Sequence, residues 1–273
     1  MKLLISVIIF LSGTLSQPNS EEALLLKSKC KEHFKEGQLF FKLRANGAND
    51  WHAKSKYIDS AIYHFKKGLN CSEYRQRSAY FYLRSLHFKG MYTGLPDEHR
   101  KLIYNEAKEL GEQLAIEYPE DVGIKLWYLA SAGKWIQYYG IFRAAYDGLG
   151  PRIKATCEKI VDLDPIYENG IGYRMLGLVY YMAPYIPVVL TWPDKEKGIA
   201  LTKKSLEINP DNIGNLLFMG KMYYLDEQYE KAIYYLNKCN DQIPREDYLI
   251  MERFDQMKAR HFLEIIESKG FGQ

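Results

Sequence analysis

A recurring turn constrains this chain more than any other feature of its sequence. Glu117-Tyr118-Pro119-Glu120-Asp121, Leu163-Asp164-Pro165, Ile208-Asn209-Pro210-Asp211-Asn212 and Ile243-Pro244-Arg245-Glu246-Asp247 end four successive segments alike, with prolines 46, 45 and 34 residues apart. A step of 48 residues back from Pro119 reaches Leu69-Asn70-Cys71-Ser72-Glu73, a similar turn without the proline. Proline lacks the N–H that a helical ladder needs, so it stops the helix before it. A unit of this length cannot bury its own apolar face. It must stack on its neighbours, which makes the chain a solenoid rather than a shell around a single centre.

The last unit shows what is being stacked. Counted from Ile213 as position 1, Leu216 stands at 4, Met219 at 7, Gly220 at 8, Tyr223 at 11, Ala232 at 20, Leu236 at 24 and Pro244 at 32. Small residues at 8 and 20 let two helices approach closely, and large apolar residues between them fill the seam. This unit resembles the tetratricopeptide repeat, a helix–turn–helix of 34 residues. One unit earlier, Tyr173, Leu176, Gly177 and Tyr180 take positions 4, 7, 8 and 11, and Gly198 takes 20. The extra residues of that unit fall between its helices, at Ala183-Pro184-Tyr185-Ile186-Pro187-Val188-Val189-Leu190. Longer connections also occur at Asp147-Gly148-Leu149-Gly150-Pro151, at Gly90–Pro96 and at Asn46-Gly47-Ala48-Asn49-Asp50. The fold class expected is all-α: a tetratricopeptide-like helical-hairpin solenoid with lengthened intra-repeat loops. Residues 17–273 make one α-solenoid domain of about five helix pairs, closed by a C-terminal capping helix from Glu246 to Lys269.

Residues 1–16 read as a signal peptide. Met1-Lys2 is a positive start, Leu3 to Leu11 an apolar stretch, and Ser12-Gly13-Thr14-Leu15-Ser16 a run ending in small residues, with cleavage near Ser16/Gln17. The chain is therefore expected to be exported, periplasmic or secreted. With no cysteine before Cys30 it is not expected to be a lipoprotein. Export permits disulfides, and the four cysteines (Cys30, Cys71, Cys157, Cys239) allow three complete pairings. Buried free thiols are the favoured reading. A Cys30–Cys71 bridge is tempting, because both flank the first helix pair. With helices at 21–44 and 51–70, however, the two cysteines are offset by roughly 9 Å along the pair, beyond the ~7 Å reach of a disulfide. Between Arg174 and Asp194 lie nineteen uncharged residues, long enough to suggest a membrane span, but Pro184 and Pro187 break them. A helix followed by an apolar loop covering one end of a pocket is preferred, with no transmembrane segment in the mature chain.

Chemistry is scarce. There is no GxSxG, no HExxH, no CxxC, and the six histidines lack metal spacing, so no catalytic residue, metal or cofactor is expected. Lys and Arg total 37 against 34 Asp and Glu, which gives no argument for nucleic acid. What remains is the concave wall, lined in such solenoids by the first helix of each pair. Its predicted residues are aromatic or aliphatic with one cation per unit: Lys134 with Trp135, Arg174 with Tyr181, and Lys221 with Tyr224, with Trp192 from the apolar loop at the mouth. That set suits an amphipathic or anionic ligand. Arg174→Ala would then weaken binding with little effect on stability.

The run Gly172-Tyr173-Arg174-Met175-Leu176-Gly177, with Tyr180-Tyr181-Met182-Ala183-Pro184, Pro193-Asp194-Lys195-Glu196-Lys197 and Lys204–Pro210, resembles the periplasmic T component (TatT) of tripartite ATP-independent periplasmic (TRAP) transporters. So does Leu126-Trp127-Tyr128 with Gly133-Lys134-Trp135. The resemblance implies a tetratricopeptide-like helical protein, often a homo-oligomer, with a central pore or pocket for a small solute. It also implies a periplasmic substrate-binding protein as partner. The expectation is a non-enzymatic binding protein accessory to solute uptake, and its rival is a generic tetratricopeptide scaffold that grips a protein partner in its groove.

Overall fold

A computed structural model describes residues 20–188 and 190–271; the signal segment expected at 1–16 lies outside them. The described residues form α1 (Ser20–Lys42), α2 (Ser55–Gly68), α3 (Arg75–Tyr92), α4 (Asp97–Glu117), α5 (Val122–Tyr139), α6 (Ile141–Tyr146), α7 (Leu149–Leu163), α8 (Tyr167–Met182), α9 (Lys195–Ile208), α10 (Ile213–Leu225), α11 (Tyr229–Asn240) and α12 (Leu249–Ser268), with no strand among them. α1 packs on α2, α3 on α4, α5 on α7, α8 on α9 and α10 on α11, and each hairpin stacks on the next. This is the all-α hairpin solenoid that the turn pattern implies.

The recurring turns work twice. Proline ends one helix, and the polar residue just after it opens the next. At two of these turns Asp121 and Asn212 cap the next helix, their side chains accepting from the amides of Ile124 and Asn215; Asp194, after the apolar loop, caps α9 in the same way through Lys197. Each such cap stabilises by about 1 kcal/mol. The small residues sit where the register puts them. A Cβ on Gly177 would stand 2.7 Å from the Gly198 carbonyl oxygen, and one on Gly220 would stand 2.7 Å from Leu236 Cγ. Both hairpins therefore close to a distance only glycine permits.

Buried side chains fall into two clusters. The larger runs from Phe34 in α1 to Tyr180 in α8 and takes in Ile250 of α12. The smaller joins α10 and α11 to Ala259 and Ile266, also of α12. One helix thus serves two cores.

Two expectations need correction here. Cys30 and Cys71 are joined, with their Cα atoms 5.8 Å apart. The second helix starts at Ser55 and ends at Gly68, and a turn folds Cys71 back, its amide donating to the Gly68 carbonyl. The longer loop and this turn absorb the offset that continuous helices would impose. Cys157 and Cys239 are free and buried. The apolar loop after α8 also lies elsewhere than expected. It rests on α7, with Leu190 buried against Gly150, and closes on itself through Ile186 and Leu190 rather than covering the groove. No helix among the described residues is long and apolar enough to cross a membrane.

Candidate functional site

The concave wall carries a helix of the chain itself. The second half of α12 caps the stack in the ordinary way: Phe262 faces Tyr224 at 5.0 Å, while Ala259 and Ile266 are buried against α10 and α11. The Gln256 side-chain amide lies 3.1 Å from the Cys239 carbonyl and 2.8 Å from that of Gln242, satisfying groups left free at the end of α11. The first half of α12 crosses to the far hairpins. Phe254 packs at a tilt on Trp51 at 4.7 Å and meets Tyr92 edge-on at 5.5 Å. The Tyr248 hydroxyl donates to the Glu168 carboxylate, and Arg44 donates to the Asp247 carbonyl. Glu168 itself sits in a left-handed run, with φ of 45°, 63° and 74° at Glu168, Asn169 and Gly170, that offsets the start of α8 from its ideal path.

The wall under α12 is basic. Arg44, Arg84, Lys134, Arg174 and Lys221 line or border it, and none of them makes an ion pair with a carboxylate among the described residues. Burial pushes the Arg44 guanidinium down to about 10, and neighbouring Arg84 adds to the effect. Burial likewise brings Arg174 down to about 10, against the pull of Asp255. Lys134 falls to about 8, first through burial and then through Lys258, with Asp255 opposing. Lys221 is lowered by burial and by Lys258. Asp255 acts on both Arg174 and Lys134, with Glu168 and Glu252 adding to its pull on Arg174 and Asp247 acting on Arg44; the ion-pair partner of Asp255 is Lys258 at 2.9 Å.

Of the seven residues named from the sequence, Tyr224 touches α12 through Phe262, and Lys134, Arg174 and Lys221 feel its charges with no direct hydrogen bond or ion pair to it among the described residues. The other three do neither. Trp135 is 3% exposed and donates to Asn105 in α4 at 2.9 Å, so it faces the seam of its own hairpin; the register drawn for α5 puts Lys134 on the wall but carries Trp135 past it. Tyr181 is buried, its hydroxyl donating to Asp226 at 2.7 Å at the end of α10. Trp192 packs edge-on against Tyr180 at 5.6 Å, following its loop onto α7. Arg174 is also more than a displayed cation. It donates to Asn215 at 2.9 Å and reaches Asn212 at 3.3 Å, the two residues that open α10, so its removal costs stability as well.

Sequence reasoning missed two features. One is a narrow gap beneath α12, too small to hold a water molecule, bounded by Phe41, Arg44, Arg84, His87, Trp127 and Met251. The other is an open cleft of about 590 Å³ at the edge of the stack, where Arg77, Tyr80, Phe81, Asp121, Gly123 and Tyr167 meet. The only signal for the cleft is Gly123, where a Cβ would stand 2.6 Å from the Tyr80 ring. The gap has no local signal, because its lining comes from four separate helices and a loop.

No protein-family model matches the chain, and no curated protein matches it. Among solved structures it is similar to MamA, residues 41 to the end, from Desulfovibrio magneticus RS-1: 15% identity, a TM-score of 0.48, and coverage of 78% of this chain and 94% of that one. A MamA RS-1 ArsTM double mutant gives 15% identity, a TM-score of 0.47 and the same coverage. The TPR2AB domain of yeast Sti1 in its pHSP90 complex gives 14% identity and a TM-score of 0.31, over 86% of this chain and 97% of that one. The architecture described above rests on the chain's own helices and contacts.

Proposed function

We propose that the chain is an exported, non-enzymatic helical-repeat scaffold whose concave groove holds a segment of a protein partner. The carrying observation is that the groove already holds a helix, the first half of α12, over a wall of cations that no carboxylate pairs. A groove shaped and charged for a helix of its own can take one from another protein. Export is supported by the N-terminal pattern and by the Cys30–Cys71 bridge, since disulfides persist in oxidising compartments. A role beside a solute transporter, as the TatT resemblance implies, needs a ligand-sized cavity on the concave wall. α12 occupies that place, so the scaffold reading is preferred.

The test is site-specific photo-crosslinking in the exported fraction of the host. A crosslinker at Lys221 on the wall should trap one defined protein, and one at the exposed Lys203 on α9 should not. Equal yields at the two positions, or none at Lys221, would refute the reading. Sequencing the same sample tests export: an N-terminus at Met1 would contradict it.

A further inference from the structure

The gap under α12 has an unusual polar lining. Arg44 and Arg84 face it; Arg44 donates to the Phe41 and Asp247 carbonyls and Arg84 to the Tyr80 hydroxyl, so both cations have neutral acceptors and no carboxylate. Trp127, 6% exposed, borders it too, and its indole N–H has no hydrogen-bond partner. His87, 8% exposed, lies at a tilt to Trp127 at 5.4 Å, and its Nδ1 is likewise unpartnered. Buried groups without partners are rare and costly in folded proteins. Around them stand the apolar faces of Phe41, Phe88 and Tyr92. From α12 this donor-rich, aromatic pocket receives only the thioether of Met251, which is at best a weak acceptor. What the lining lacks is an acceptor with negative charge on an apolar stem.

We propose that this pocket is a carboxylate-binding site closed by Met251, and that an acidic amphipathic helix from a protein partner fills it by displacing residues 245–255 while Gln256 onward stays packed on α10 and α11. The proposal rests on the groove being a protein-binding surface and adds which partner chemistry it selects and what must move. The division at Gln256 follows from the contacts. Gln256 is tied to the end of α11, and everything after it belongs to the smaller core. Everything before it rests on the larger core, with Glu252 held by Arg245 of its own connecting loop at 2.7 Å, so the two can leave together. The five wall cations supply the complementary charge, and the unpartnered Trp127 indole N–H marks where α12 leaves a buried donor unmet.

The test has two arms. In the full chain, Met251→Glu puts a carboxylate in the pocket without a partner. It should unfold at higher temperature than Met251→Gln at neutral pH. That advantage should vanish in acid, where the carboxylate protonates, and in an Arg84→Gln background. In the second arm the full chain is loosened by Met251→Ala with Phe254→Ala. It is titrated with a fluorescein-labelled peptide of residues 246–258 carrying Met251→Glu, and with the same peptide carrying Met251→Gln. The Glu peptide should bind about tenfold more tightly, the usual worth of a charged acceptor. Arg84→Gln in the chain should erase the difference. Equal affinities, or a difference that survives Arg84→Gln, would overturn the carboxylate pocket and leave the scaffold reading standing. If neither peptide binds a chain whose circular dichroism shows it folded, the groove reading itself falls, and the pocket with it.

Discussion

The two halves of α12 meet two different kinds of surface. Its second half lies on α10 and α11, a hairpin closed by Gly220 and Ala232, and buries Ala259 and Ile266 completely. Its first half lies on aromatic rings and guanidinium groups, beside two unpartnered polar atoms. The former surface is filled closely by α12. The latter is complementary only in part. In one continuous helix, then, close packing marks what is permanent, and unmet donors mark what can be exchanged.

The largest test of this contrast removes the staple at the exchangeable end. Cys71→Ser opens the Cys30–Cys71 link, which spans 41 residues. On loop-closure entropy it should cost roughly 4 kcal/mol. Chemical denaturation checks the size. If α1 and α2 support the aromatic wall, the loss should also speed amide exchange in residues 249–255 more than in 259–266.

Gly220→Leu attacks the permanent end. Its side chain must enter the space of Leu236, and overpacking of this kind costs about 3 kcal/mol. Urea denaturation should show it, and a loss under half a kcal/mol would mean that the hairpin closes elsewhere. Arg174→Ala comes next, at about 2 kcal/mol, because it strips a charged donor from Asn212 and Asn215 at the start of α10. An unchanged midpoint would return Arg174 to the role of a free groove cation.

The smallest effect concerns Lys134. Its folded value of about 8 lies below the ordinary lysine value of 10.5, so the native state releases this proton first. Between those values the unfolded chain holds more protons, and stability should rise as pH climbs through that window. Lys134 keeps part of its side chain in solvent, so the gain should be only about 1 kcal/mol after solvent screening. Lys134→Met should raise stability at pH 7 by a similar amount and flatten the rise. A variant that keeps the slope assigns it to another group.

How much the sequence revealed differs between the same two regions. Around α8 to α11 the positions of Gly177, Gly198, Gly220 and Ala232 are legible, because close helix approach demands small residues at fixed spacing. The hairpin α1–α2 was harder to read. Its loop length set whether Cys30 could reach Cys71, and loop geometry leaves no periodic trace. The wall cations Lys134, Arg174 and Lys221 could be read from spacing. Trp135 and Tyr181 could not be told apart from wall residues, because one step along a helix turns a side chain by about 100° into the neighbouring seam. Above all, the pattern of the last helix says that it is amphipathic, not that its two halves serve two cores.

Hydrogen exchange along α12 in the intact chain tests the central claim most directly. Amides of residues 250–255 should exchange at least about tenfold faster than those of 259–266, opening while the solenoid stays folded. Equal protection along the whole helix would show one indivisible unit, and would contradict a groove whose occupant can be replaced.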